Sequence, residues 1–134
     1  MHTVEAMVRA HPRDLGDLDL EAVIACIQAC YECAATCTAC ADACLGEDSV
    51  ADLVRCIRTD LDCADVCEAT GRVLSRLTEH ADLPRHLVEA CAELCRACAT
   101  ECERHADMHE HCRVCAEACR RCEEACRDLL MAVG

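Results

Sequence analysis

The sequence predicts an all-α fold: an antiparallel up-down-up-down four-helix bundle with a cysteine-lined core. Three observations predict it. Cysteines recur at intervals of three and four along four segments, polar or Gly/Pro-bearing stretches separate those segments, and bulky core formers are scarce. Spacing of three and four keeps one side of a helix on a common axis. Short connections between long helices fold them back antiparallel.

The elements follow in chain order. Residues 1–18 form an N-terminal extension with His2, Glu5, Arg9, His11, Pro12, Arg13, Asp14 and Asp17, and a short helix is expected around Val4 to Ala10. The first bundle helix is expected at 19–45, ended by Leu45-Gly46. A second runs over 49–80, capped by Asp48 or Ser49 with Asp52 in its first turn. A third runs over 83–105, with Asp82 as its cap and Pro84 just inside. The polar stretch Arg104 to His111 leads into a fourth at 108–132. Residues 19–134 thus read as one bundle domain.

The cysteine seams carry the argument. Cys26, Cys30, Cys33, Cys37, Cys40 and Cys44 make the first. Cys56, Cys63 and Cys67 make the second, with Asp60 on the seam position between Cys56 and Cys63. Cys91, Cys95, Cys98 and Cys102 make the third, and Cys112, Cys115, Cys119, Cys122 and Cys126 the fourth. All 18 cysteines are on seams. Extending the seams brings Val23, Thr70, Leu74, Leu77, Val88, Leu129 and Val133 to one end as a dry plug. The other end collects Cys44, Cys56, Cys102 and the connection with His105, Met108, His109 and His111, with Leu53 nearby.

Composition narrows the function. There is no Phe or Trp, Tyr31 is the only aromatic, and cysteine is the abundant small side chain instead. Tyr31 reads as a helix-surface or interface residue. Against 13 basic residues stand 26 acidic ones, a net charge of −13. That disfavours nucleic-acid binding, which needs clustered Lys and Arg, and suits cationic ligands. No apolar stretch of signal length precedes Cys26, and no run is expected to span a membrane. The expected compartment is the reducing cytosol, where dense cysteine points to metal and not to disulfides.

Thiolates select Cu(I), Zn(II) or iron–sulfur clusters. Residues three or four apart on a helix have Cβ atoms about 5–6 Å apart, near the roughly 4.5 Å that a linear S–metal–S unit spans at ~2.3 Å per bond. Cu(I) accepts two ligands, whereas zinc favours four in a tetrahedron. Charge points the same way: one Cu(I) per thiolate is neutral, while four thiolates on Zn(II) leave two negative charges in a narrow core. The metal-free core is expected to hold protonated thiols, so affinity should rise with pH. A zinc- or cadmium-sequestering protein is the alternative. An iron–sulfur carrier fits less well, because its ligands come from compact loop motifs. No catalytic constellation is present, so an enzyme is not expected.

At the polar end, His105, His109 and His111 are expected to ligate or pass the metal. Met108 is either a thioether ligand or an apolar cap. Asp60, a poor Cu(I) ligand, is expected to hydrogen-bond a mouth histidine or tune the local field. His2, His11, His80 and His86 are expected to face solvent.

With these seams, the chain resembles the cytosolic branch of the bacterial four-helix-bundle copper storage proteins. The resemblance extends from about residue 19 onward. It implies many stored Cu(I) ions, a mouth formed by His105, His109 and His111, and a homotetramer. A copper chaperone is the candidate protein partner.

Overall fold

In the computed structural model, residues 2–12, 16, 18–76 and 84–132 are described. They form α1 (His2–Arg9), α2 (Leu20–Leu45), α3 (Val54–Ser75), α4 (Arg85–Glu103) and α5 (Glu110–Ala132), with a 3-10 turn at Val50–Leu53 before α3. α2 packs on α3 and α5, and α4 packs on the same two helices, giving the ring order of a four-helix bundle. Sulfur pairs fix the directions. Cys26 early in α2 meets Cys126 late in α5, Cys67 late in α3 meets Cys91 early in α4, and Cys56 early in α3 meets Cys102 late in α4.

Local chemistry sets the helix ends. Asp19 Oδ1 accepts a hydrogen bond from the Ala22 amide at 3.1 Å, which satisfies a free N–H at the start of α2. α1 begins two residues before its expected start and is tied to α2 by Arg9, which pairs with Glu5 at 2.8 Å and with Glu21. The second bundle helix differs from expectation. Residues 50–53 wind as a 3-10 turn, and Ser49 makes no side-chain cap. Its Oγ instead lies 3.5 Å from His109 Nε2, so a tertiary contact takes the hydroxyl that a cap would have used. α4 starts after Pro84, which occupies the cap position and not the first helical one. The expected cap Asp82, the seam residues Leu77 and Val133, and His80 lie outside the described residues.

The core is the cysteine seam plus a plug. All 18 cysteines are buried. Val23, Ile27, Thr70, Leu74, Val88 and Leu129 are also fully buried, and Ile27 is a member that the seam did not include. Each buried aliphatic side chain contributes about 1.5–3 kcal/mol relative to exposure. Tyr31 is half-buried between α2 and α3. A Cβ on Gly71 would meet its ring at 3.2 Å, which explains a glycine in mid-helix despite its poor propensity.

One expectation is corrected. α2, at 26 residues, is long and apolar enough to cross a membrane. That apolarity is mostly alanine and cysteine, and its buried seam packs against α3 and α5.

Candidate metal centre

The helical repeat aims every cysteine at the bundle axis, and antiparallel packing interleaves the four seams. Close sulfur pairs occur within a helix, at 3.8 Å for both Cys33–Cys37 and Cys63–Cys67. Approaches between helices are equally short: Cys37–Cys119 and Cys67–Cys95 at 3.5 Å, and Cys30–Cys122 and Cys33–Cys119 at 3.8 Å. The interior is therefore a continuous sulfur lattice and not four separate ladders.

Quartets of sulfurs lie within 4.8 Å of one another, among them Cys30/Cys91/Cys122/Cys126, Cys33/Cys37/Cys63/Cys119, Cys33/Cys67/Cys95/Cys122 and Cys37/Cys98/Cys115/Cys119. At ~2.3 Å per bond, a tetrahedral ion needs sulfurs about 3.8 Å apart and a trigonal one about 4.0 Å. Distance alone admits zinc or Cu(I). Sharing and charge separate them. Cys33, Cys37, Cys119 and Cys122 each belong to two of these quartets, so the sites cannot all fill as isolated four-thiolate ions. Bridging thiolates with monovalent copper fill them without accumulating buried charge.

Proton affinities fit a core that exchanges protons for metal. Burial, its leading cause, raises Cys44 to about 11 and also pushes Cys112 up. Hydrogen bonds within the lattice split the deeper thiols. Cys30 is pushed up by Cys122, while Cys26, hydrogen-bonded with Cys126, is held down to about 5. No Arg or Lys is buried among the described residues. Thiolates there lack cationic partners, so burial favours the protonated form and only the lattice hydrogen bonds oppose it, as at Cys26.

Asp60 is fully buried inside the lattice. Its Oδ1 accepts from the thiols of Cys98 at 3.1 Å, and of Cys102 and Cys115 at 3.4 Å, and Cys56 approaches Oδ2 at 3.9 Å. The expected bond to a mouth histidine is not made, because the seam points this carboxyl into the core. Burial, then the neighbouring Cys115 and Cys56 sulfurs, raise its pKa to about 8.

The polar end places the predicted histidines individually. His111 Nδ1 lies 3.5 Å from Cys40 Sγ and 3.6 Å from Cys112 Sγ, and its Nε2 bonds Glu47 at 2.8 Å. His109 stacks on His111 with centroids 5.4 Å apart, and its Nδ1 lies 3.1 Å from Glu47. His105 Nε2 bonds Glu101 at 2.9 Å. Met108 is 69% exposed, so the structure brings it to neither the sulfurs nor a cap. His2 and His86 are exposed, whereas His11 is half-buried.

Sequence reasoning missed two carboxylates. Glu101, nearly buried, faces His105, Arg55 and Arg104; its place four residues before His105 was an available signal. Glu47 had none, since only the fold carries the α2–α3 turn across to α5.

Thiols lining a helical tube, plugged at one end and rimmed by imidazoles at the other, define a container for soft metal ions. A family model described as copper storage protein matches residues 19–131, and the chain belongs to that family. A structure of the copper storage protein Ccsp from Streptomyces lividans, loaded with 10 copper equivalents, is 60% identical. It matches over 96% of this chain and 98% of that one, with a TM-score of 0.93. The cytosolic copper storage protein of the same organism, with five coppers, is 63% identical over 83% of this chain and 93% of that one, with a TM-score of 0.80. Cu(I)-bound copper storage protein BsCsp3 is 39% identical over 78% of this chain and 94% of that one, with a TM-score of 0.68. No curated protein sequence matches the chain.

Proposed function

We propose that this chain stores Cu(I) in the cytosol, binding many ions through its 18 cysteines and acting as a container and not a catalyst. The observation that carries this reading is the shared lattice of buried thiols, with sulfurs 3.5–4.0 Å apart and members common to two quartets. The copper-loaded relatives support it. Residues 19–134 are the container and 1–18 an extension. His105, His109 and His111 receive and release copper at the mouth, Asp60 tunes the sulfurs beneath it, and exposed Met108 is an early thioether contact. Assembly as a homotetramer and exchange with a copper chaperone complete the proposal.

Titrating fully reduced, metal-free protein with Cu(I) against a chelator tests it. The expected capacity is on the order of one Cu(I) per thiolate, beyond any four-thiolate scheme. Saturation near one metal per four cysteines, with zinc competing equally, would install the zinc-sequestering alternative. The mouth assignment has its own test by stopped flow. Replacing His105, His109 and His111 together with alanine should slow loading by about tenfold or more, with little change in capacity. A large fall in capacity would show that the imidazoles hold stored copper.

A further inference from the structure

At the histidine-bearing end an imidazole completes a set of three thiols. Cys40, Cys44, Cys112 and His111 offer ligand atoms all within 4.8 Å of one another. We propose that these four residues bind one Zn(II) as a reversible stopper over the copper store, a regulation that rests on the storage reading above.

Two of the ligand separations match a tetrahedral zinc site, and the others lie within 4.8 Å. Three thiolates and one imidazole are an established tetrahedral zinc set. With bonds of ~2.3 Å to sulfur and ~2.0–2.1 Å to nitrogen, a tetrahedron needs about 3.5 Å between that nitrogen and each sulfur. The observed separations from His111 Nδ1 are 3.5 Å to Cys40 and 3.6 Å to Cys112. Glu47 supports the same atom. Its carboxylate accepts a hydrogen bond from His111 Nε2 at 2.8 Å, which puts the proton on Nε2 and leaves the Nδ1 lone pair free to ligate. A carboxylate behind a ligating histidine is the usual outer partner in zinc sites.

Charge explains why zinc stops here. A four-thiolate site deep in the lattice would carry two negative charges with no buried Arg or Lys nearby among the described residues. The mouth site carries one, beside water, since the His111 side chain is 25% exposed. Binding forms three Zn–S bonds and one Zn–N bond, and up to three thiol protons pass to solvent. No electron moves. The occupied site ties α2 to α5 at the histidine-bearing end, where Cys40 neighbours Cys56 and Cys102. Incoming Cu(I), favoured by soft thiolates, takes the three sulfurs and releases the zinc.

The test uses the full reduced chain with Zn(II), and with Co(II) as a spectroscopic probe. One equivalent should bind tightest, with the visible spectrum of a tetrahedral site of three sulfurs and one nitrogen. His111→Ala should weaken that equivalent at least tenfold and remove the nitrogen signature. Protein carrying one Zn(II) should take up its first Cu(I) at least tenfold more slowly than metal-free protein, releasing one Zn(II) per chain. Equal binding of several zinc ions in all-sulfur sites, or identical zinc affinity in His111→Ala, would overturn the proposal. So would zinc binding that leaves the copper uptake rate unchanged. Cu(I) capacity is read separately: full capacity without a mouth zinc removes only the stopper, and a tight mouth zinc on its three sulfurs and imidazole with low Cu(I) capacity removes only the store.

Discussion

Leu74→Ala and Leu129→Ala are each expected to destabilise the metal-free, reduced protein by about 2–5 kcal/mol, the usual range for removing a buried leucine side chain. Both residues are fully buried in the plug with Val23, Ile27 and Val88. The chain has no Phe or Trp to take over, and thiols are small, so few neighbours can collapse into the void. A loss that size is a large fraction of the net stability of a small domain. Copper loading should raise wild type and variants alike, because ions bound only by the folded lattice stabilise that state by mass action, and the difference between them should persist. Urea unfolding of metal-free and loaded samples makes the comparison. A metal-free loss below about 1 kcal/mol would mean that the plug does not hold the empty bundle together.

Asp60→Asn is expected to abolish a fall in metal-free stability between about pH 4 and pH 8. The native carboxyl is raised from 3.8 to about 8, with burial the leading cause. In that window the folded chain keeps a proton that the unfolded chain has lost. Stability contributed by the protonated form is therefore complete below about pH 4 and drains away as pH rises through 8. Four pH units set an upper bound of about 5 kcal/mol. The asparagine is neutral throughout, so it should flatten the slope and leave the variant more stable by several kcal/mol at pH 8. Surface carboxylates such as Glu103, held low by Arg120, act in the opposite sense and only at acid pH. Chemical denaturation across pH 4–9 under reducing conditions decides it. A wild-type profile without this fall, or a variant retaining it, would place the Asp60 proton elsewhere.

Much of this was legible before any coordinates. Four helices, their antiparallel order and the inward aim of every cysteine follow from intervals of three and four, because a helix has only one face at that period. The plug and mouth follow from extending the same register, as Val23, Leu74, Val88 and Leu129 show. The boundary near residue 50 was not legible: Ser49 and Asp52 look like the start of a helix, yet the hydroxyl of Ser49 lies against His109 across the mouth. Asp60 was placed correctly on its seam, and of its two expected roles the bond to a mouth histidine is not made, because a seam names the axis a side chain faces and not the atoms waiting there.

The sequence by itself determined the fold class, the thiol inventory and the end that carries the histidines, since each depends on local periodicity and residue chemistry. Only the tertiary structure decided which sulfurs lie together in quartets, that Glu47 stands behind His109 and His111, and that Asp60 lies among thiols with a raised pKa. Those facts depend on distances between helices far apart in the chain. They are set by how four seams interleave, and periodicity within one helix carries no information about that.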